Sequence, residues 1–355
     1  MKTIAFTSAA VNYLPKVRQL CRSIRRFHSE FEIVLALADE PNPALSLADE
    51  PIDRIIPVAA LDIPDRQRWV FFHSIVELAT AIKPFVLKQL LAEPNVERVL
   101  YFDPDMVLFS RLDDLLEAME GGSIALTPHQ TTPETELEAI RDNEIASLKH
   151  GIYNLGFLGV NANDEGRRFA AWWAERIYHF CVADIPNGLF TDQRWVDFAP
   201  AFFEGVRILK SPRFNVATWN LTTRHLEGDA ERGFRVEGAP LGFYHFTGFD
   251  SGAHRVMADK NAPGNLAVQA LVAWYAQQTR FDHEDPLSRV QWAFGRYSDG
   301  SPVELSHRRL YRQRPDLQQA YPDPFDATSL ASLASWMRLQ APIEYPELFA
   351  KKAHG

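Results

Sequence analysis

The sequence predicts an α/β fold in which a mostly parallel central sheet is flanked by helices. Short apolar runs alternate with amphipathic stretches in the N-terminal part, and an acidic pair directly follows one of those runs. Such alternation is typical of strand–helix–strand units, whose parallel strands bind ligands beyond their carboxyl ends. Strands are expected over 3–8, 32–37, 55–58 and 99–102, and helices over 14–28 and 70–91, the second interrupted near Lys83 and Pro84.

The most informative motif is Tyr-Phe-Asp-Pro-Asp at 101–105. The apolar run before it predicts a buried strand, which delivers Asp103 and Asp105 to the carboxyl edge of the sheet. Two carboxylates one residue apart can share a hard divalent cation, which would neutralise a substrate diphosphate. An isolated Asp-x-Asp is usually an exposed turn. Here apolar sequence resumes at Met106, and burying the pair without a cation or donors would be costly. We therefore expect a metal site.

The rest of the chain predicts further sheet elements and a helical C-terminus. Helices are expected over 112–119 and 167–180, and strands over 123–127, 151–160, 202–209 and 241–246. The polar, acidic residues 129–150 indicate a mobile excursion or a lid helix. From residue 265 onward the pattern is mainly helical. We expect one domain over 1–262 and a mainly helical segment over 263–355 packed against it.

The composition indicates a globular cytoplasmic protein. The hydrophobic fraction is 46%, and no stretch approaches the roughly 18 consecutive apolar residues of a transmembrane helix. The N-terminus lacks the apolar core of a signal peptide, and Cys21 and Cys181 are expected to be reduced core residues. A net charge of −9 argues against nucleic acid as a main partner.

Two groups of arginines run against this acidic balance. They are Arg18, Arg22, Arg25 and Arg26, at helical spacing, and Arg308, Arg309, Arg312 and Arg314. Each group is interpreted as a solvated helix face. The alternative is peripheral contact with the inner face of an anionic membrane or with a lipid-linked acceptor.

Four short patterns follow the acidic pair along the chain. They are Tyr-Asn-Leu-Gly-Phe at 153–157, Thr-Asp-Gln at 191–193, Phe-Asn-Val-Ala-Thr-Trp-Asn at 214–220 and Tyr-His-Phe-Thr-Gly at 244–248. Each pattern alone is typical of a turn, a helix cap, loop packing or a core histidine.

Together, and in this order, the motifs resemble the GT-A glycosyltransferases, especially the family 8-like, retaining group of glycogenin and the bacterial lipopolysaccharide galactosyltransferases. The resemblance covers roughly residues 3–250 and implies a GT-A fold. It implies that Asp103 and Asp105, with His245 of a His-x-x-Gly motif ending at Gly248, hold Mn²⁺ or Mg²⁺ against the diphosphate of a nucleotide sugar. Carboxylates, one imidazole and phosphate oxygens suit either cation.

The same resemblance implies roles for residues around the metal. Thr7, Ser8, Asn12 or Tyr13 would contact the nucleotide base, Lys83 the diphosphate or donor sugar, and Asn154 and Gly156 the donor sugar. Asp192 would bind a sugar hydroxyl, and Gln193 would stabilise an oxocarbenium-like transition state. Trp219 and Asn220 are candidates for the acceptor site, although a Trp219 that merely closes the domain is an equal alternative.

One departure from the family concerns the leaving group. The family places a lysine shortly after His-x-x-Gly, whereas this chain has Phe249, Asp250 and Ser251 there. Arg255 or Lys260 could substitute for that lysine from a reshaped loop.

These observations give the hypothesis of a metal-dependent, retaining hexosyltransferase. It would move a hexose from a nucleotide sugar, UDP-hexose by resemblance, to a bacterial glycan or glycolipid. One alternative is a haloacid-dehalogenase-type phosphatase with Asp103 as nucleophile and Asp105 as acid/base. That motif should open the fold, yet a full strand–helix–strand unit precedes it. Another alternative is a non-catalytic sugar-binding protein with the same sheet. The oligomeric state, the sugar and the acceptor stay open.

Overall fold

The computed structural model describes residues 1–43 and 45–349. The strands are β1 (Lys2–Ala9), β2 (Glu32–Leu37), β3 (Arg54–Pro57), β4 (Val96–Phe102), β5 (Met106–Leu108), β6 (Ile124–Pro128), β7 (Tyr153–Asn161), β8 (Ala183–Asp184), β9 (Leu189–Phe190), β10 (Val206–Ile208), β11 (Leu226–Asp229), β12 (Gly233–Val236), β13 (Ala239–Pro240) and β14 (Phe243–His245). The α-helices are α1 (Leu14–Phe27), α2 (Arg66–Phe71), α3 (Ile75–Ala81), α4 (Lys83–Leu91), α5 (Asp113–Ala118), α6 (Leu137–Ala139), α7 (Ile145–His150), α8 (Asp164–Phe180), α9 (Gln193–Val196), α10 (Ala199–Phe202), α11 (Ala253–Asn261), α12 (Leu266–Thr279), α13 (Leu305–Gln313), α14 (Pro315–Ala320), α15 (Leu333–Leu339), α16 (Ala341–Glu344) and α17 (Pro346–Phe349).

The central sheet confirms the predicted α/β class. It has seven strands in the order β10-β6-β7-β4-β1-β2-β3. Every neighbouring pair is parallel except those of β7, which runs antiparallel to β4 and β6. The chain segments that follow β1, β4 and β6, and the start of β7, therefore meet at one edge of the sheet.

Strand β4 is buried on both faces, as its apolar run predicted. Val99 and Tyr101 pack in the core on one side of the sheet, whereas Leu100 and Phe102 pack in the core on the other side. This alternation follows from the two-residue period of a strand. The strand therefore carries its acidic pair out of the core at a fixed position.

The single long helix expected over 70–91 is wrong, because the structure has α2, α3 and α4 there. A capping box starts α3: the Glu77 amide donates to Ser74 Oγ at 3.3 Å, and the Ser74 amide donates to Glu77 Oε2 at 2.9 Å. The Ser-x-x-Glu spacing is a sequence signal for such a start. The break expected near Pro84 is confirmed, since Lys83 and Pro84 begin α4. The strand expected over 202–209 is shorter, because α10 extends to Phe202.

The chain beyond residue 265 is mainly helical, as expected, but its arginines are not all on a solvated face. Arg308 donates to the carbonyls of Phe71 and Phe294, and Arg312 donates to those of His179 and Cys181. These guanidinium groups hold α13 against the sheet domain, so the interpretation of this group as solvated is wrong for them. The division at residue 262 stays a prediction.

The first arginine group is divided as well. Arg18 forms ion pairs with Glu50 and Asp285, and Arg25 pairs with Asp53, whereas Arg22 and Arg26 are exposed. The two cysteines are buried free thiols. Among the helices of the described residues, none is long and apolar enough to cross a bilayer.

His73, which lies under α13, makes the stability of the fold sensitive to acid. Burial lowers its pKa to about 3, and the charge of Arg312 acts in the same direction. Between pH 6.5 and pH 3 the unfolded chain therefore binds a proton that the folded chain does not, so stability falls as the pH falls. From pH 7 to pH 5 this costs about 2 kcal/mol.

We expect His73→Asn, which keeps a donor for the Trp69 carbonyl, to lose about 2 kcal/mol less unfolding free energy than the wild type between pH 7 and pH 5. Urea unfolding at both pH values measures this difference. His283→Asn, at an exposed position, is the control and should behave as the wild type. Equal acid sensitivity of His73→Asn and the wild type would contradict the assignment.

Candidate active site

A cavity of about 780 Å³ opens at the carboxyl edge of the sheet. Most of the predicted site residues line it, namely Ser8, Asn12, Tyr13, Lys83, Asp103, Asp105, Asn154, Asp192, Gln193, Trp219 and His245. Four others, Thr7, Gly156, Asn220 and Gly248, lie outside the lining. The cavity therefore lies where the topology rule for parallel sheets predicts a ligand site.

Asp103, Asp105 and His245 converge on one point of the cavity wall. One ligand atom from each lies within 4.8 Å of the others, and His245 Nε2 is 3.0 Å from Asp105 Oδ1 and 3.7 Å from Asp103 Oδ2. This convergence comes from antiparallel pairing of β5 with β14, which sets Met106 opposite His245. Two carboxylates and an imidazole are a donor set that fits Mn²⁺ or Mg²⁺.

Asn154 and Gly156 orient the histidine toward the carboxylates. Asn154 Oδ1 lies 3.2 Å from His245 Nδ1, so it accepts a hydrogen bond when Nδ1 carries the proton and leaves Nε2 to face the acids. A Cβ added at Gly156 would lie 2.4 Å from Met106 Cε and 2.7 Å from both Asn154 Oδ1 and His245 Cε1. The glycine is therefore needed for the close approach of His245, in addition to any contact with a ligand.

Asp105 and His245 shift each other's pKa values. Burial raises the pKa of Asp105, but the His245 imidazole outweighs it, so this pKa lies below its usual value. For His245 burial lowers the pKa, and the two carboxylates more than compensate. The acidic pair thus favours positive charge at this point, either on the imidazole or on a bound cation.

Lys83 joins the metal motif to the Asp-Gln motif. Its ammonium lies 3.2 Å from Asp103 Oδ1 and 3.4 Å from Asp192 Oδ2, and the Tyr101 hydroxyl also donates to Asp103. Burial lowers the pKa of Lys83, but the two carboxylates raise it above its usual value. The lysine is therefore charged and shared between the two acids.

Asp192 and Gln193 differ in how much of their hydrogen-bonding capacity is free. Apart from the ion pair with Lys83, Asp192 Oδ2 is buried and has no hydrogen-bond partner among the described residues. Gln193 is largely engaged: its Oε1 accepts from the Leu155 backbone and Asn154 side-chain N–H groups, and its Nε2 donates to the His150 carbonyl. Asp192 can accept from a ligand, whereas Gln193 presents a fixed dipole.

Trp219 and Asn220 lie on one turn but face different surroundings. The Trp219 ring lines the cavity and packs edge-on against His129 and His245 at centroid distances of 5.2 and 5.4 Å. Asn220 is completely buried, accepts from the Ala217 amide and donates to the carbonyls of Asn215 and His129. Its amide holds the turn that carries the tryptophan.

Thr7 and Gly248 do not line the cavity but belong to segments that do. Thr7 is buried within β1. Gly248 has a φ of +70°, a left-handed conformation that favours glycine, and it turns the chain just after His245.

The sequence did not single out several lining residues. They include Tyr101, His129, Asn143, His150 and Phe190, together with the face of α3 from Ile75 to Thr80. His129 directly follows β6, so the strand-end rule could have found it. Burial lowers its pKa to about 4.

The acidic stretch over 129–150 forms α6, a π-helical turn (Ile140–Glu144) and α7, which is part of the cavity wall. Its mobility stays a prediction.

The comparisons with known proteins show similarity to glycosyltransferases. No family model matches the chain. The Bacillus subtilis (strain 168) protein YfnF, described as uncharacterized, is 28% identical over 257 residues, which are 68% of this chain and 82% of YfnF. The structure of the galactosyltransferase LgtC in complex with donor and acceptor sugar analogs has a TM-score of 0.45 and 18% identity, over 77% of this chain and 95% of LgtC.

The glycosyltransferase GlyE of Streptococcus pneumoniae TIGR4 has a TM-score of 0.45 and 16% identity, over 78% of this chain and 64% of that chain. Both of these solved structures are glycosyltransferases.

We expect Gly156→Ala to weaken Mn²⁺ binding by roughly tenfold or more, because even after the Met106 side chain moves aside the methyl group must displace His245 or Asn154. Titration of the full chain followed by Mn²⁺ electron paramagnetic resonance measures this. The control is Gly159→Ala on the same strand, where the added Cβ would meet the flexible Met119 side chain at 2.9 Å. The control should keep wild-type affinity, and wild-type affinity in Gly156→Ala would contradict the role of the glycine.

Proposed function

We propose that the protein is a metal-dependent hexosyltransferase that moves a hexose from a nucleotide sugar, UDP-hexose, to a bacterial glycan or glycolipid. The single observation that supports this best is the convergence of Asp103, Asp105 and His245 within 4.8 Å at the edge of a large cavity. A divalent cation held there would neutralise charge on the donor diphosphate.

The base and ribose of the donor would lie near Asn12 and Tyr13, which line the cavity beyond β1. Ser8 lines the same region, but its hydroxyl already donates to the Ala79 carbonyl at 2.6 Å. Selection among bases would therefore depend on the Asn12 amide and on the aromatic ring and hydroxyl of Tyr13.

The donor sugar would lie between the metal motif and Asp192. Asp192 Oδ2, which has an ion pair with Lys83 but no hydrogen-bond partner among the described residues, would accept from a sugar hydroxyl. Burial raises the pKa of Asp192, and the Lys83 ammonium acts in the opposite direction. Gln193 would direct its fixed dipole at the positive charge that develops on the sugar ring. Transfer with retention of the anomeric configuration is part of this proposal.

The acceptor would approach over Trp219, whose ring offers a surface on which a sugar can stack. A cytoplasmic location beside the membrane is part of the proposal as well. The exposed Arg22 and Arg26 support it, because anionic lipids attract exposed guanidinium groups.

The alternatives have no support from the described residues. The phosphatase motif should open the fold, whereas Asp103 follows the fourth strand of the chain, β4. A non-catalytic sugar-binding protein would have no need for two acids and a histidine arranged as metal ligands.

We expect Asp105→Asn to fold as the wild type but to lose the Mn²⁺-dependent rise in melting temperature caused by its nucleotide sugar, because one of three metal ligands loses its charge. For the wild type, donor at a hundred times its Kd stabilises the fold by about 2.7 kcal/mol. Thermal-shift screening of UDP- and GDP-sugars, with and without Mn²⁺, measures the effect and identifies the donor.

The matched control is Asp113→Asn, which removes a carboxylate that pairs with Arg111 on the surface. It should keep the full Mn²⁺-dependent shift. A full shift in Asp105→Asn, or no nucleotide sugar that stabilises the wild type with Mn²⁺, would refute the proposed function.

A further inference from the structure

Lys16 of α1 lies at the border of the cavity and is held by a loop that follows His245. Its side chain is 11% exposed, and its ammonium forms an ion pair with Asp250. The ammonium also lies over the rings of Tyr13 and Phe249, 5.7 and 5.6 Å from their centroids. Tyr13 lines the cavity, and so does Thr247 of the same loop.

Three other candidate cations, Arg255, Lys260 and Lys83, form ion pairs with other acidic residues. Arg255 is 82% exposed and pairs with Asp259, and Lys260 pairs with Glu138 and Asp142. Neither cation that the sequence suggested for the leaving group lines the cavity. Lys83 is shared between two buried acids.

The Lys16–Asp250 pair is asymmetric. The lysine is nearly buried, whereas the Asp250 side chain is 63% exposed and belongs to a surface turn. Breaking such a pair costs little when the acid can move into water. The fixed cation can therefore exchange its partner for another anion.

The hydroxyl group of Tyr275, which lies near Lys16, has no hydrogen-bond partner among the described residues. The Tyr275 side chain is buried. Its ring stacks on Phe246 at 3.7 Å and packs edge-on against Phe249, the ring over which Lys16 lies. An unpartnered buried hydroxyl is costly, so the Tyr275 hydroxyl is free to donate to an anion that binds beside it.

We propose that Lys16 is a phosphate-binding residue for the nucleoside diphosphate, and that Asp250 occupies its ammonium only until the diphosphate arrives. This inference rests on the proposed function. When the bond between the anomeric carbon and the diphosphate oxygen breaks, the electron pair stays on that oxygen. The ammonium of Lys16 donates to the diphosphate and stabilises the added charge.

Calorimetric titration of the full chain with UDP in the presence of Mn²⁺ tests the exchange. Lys16→Met should weaken UDP binding by about tenfold or more, since a charge-assisted hydrogen bond is lost, and Lys16→Arg should restore part of it. Asp250→Asn should tighten UDP binding by about two- to fivefold, because the competing carboxylate is gone. Uridine, which has no phosphate, should bind all variants alike.

Lys88→Met, at an exposed position on α4, is the control and should match the wild type. A merely structural ion pair predicts that Asp250→Asn binds UDP no better than the wild type, and that result would overturn the inference. So would wild-type affinity in Lys16→Met. If UDP binds the wild type with Mn²⁺ but either of these results is found, the proposed function survives alone. If UDP does not bind the wild type at all, both fail.

Discussion

The close approach of His245 to Asp105 is the contact on which the whole site depends. It joins the loop after β4 to a strand far along the chain, and the pairing of β5 with β14 makes it possible. Two partly buried carboxylates side by side need a nearby positive charge to stay ionised. Lys83 lies 3.2 Å from Asp103 and the His245 imidazole lies 3.0 Å from Asp105, and a divalent cation would add positive charge between the two acids. Gly156 and Asn154 leave the imidazole the space and the orientation to do so.

The charges around this contact are arranged in order along the cavity. Lys83 lies between Asp103 and Asp192, on the side proposed for the sugar. Lys16 lies by Tyr13, on the side proposed for the nucleotide. A nucleotide sugar needs positive charge at its diphosphate and negative charge near its sugar ring, where the transition state is cationic. Asp192 would supply negative charge near the sugar ring, and Lys16, with a cation held by Asp103, Asp105 and His245, would supply positive charge at the diphosphate.

The sequence predicted what depends on local pattern and on topology. The run before Asp103 indicated a buried strand, and the strand-end rule put the acidic pair at the cavity. His245 could be found only from the resemblance of its motif, because pairing between distant strands leaves no local signal. Arg308 was misinterpreted for a similar reason: helical spacing does not tell whether an arginine faces water or the carbonyls of Phe71 and Phe294. The ion pair of Lys16 with Asp250 could not be predicted from the sequence either, since only the folded chain brings the two residues together.

The central claim is that one cation is held jointly by Asp103, Asp105 and His245. Diffraction data collected at the manganese absorption edge, from crystals grown with Mn²⁺ and UDP, test it most directly. The account predicts one anomalous peak at roughly 2.0–2.3 Å from a carboxylate oxygen of each aspartate and from the Nε2 atom of the histidine. A peak bound elsewhere, or one coordinated by the aspartates with His245 turned away, would contradict it.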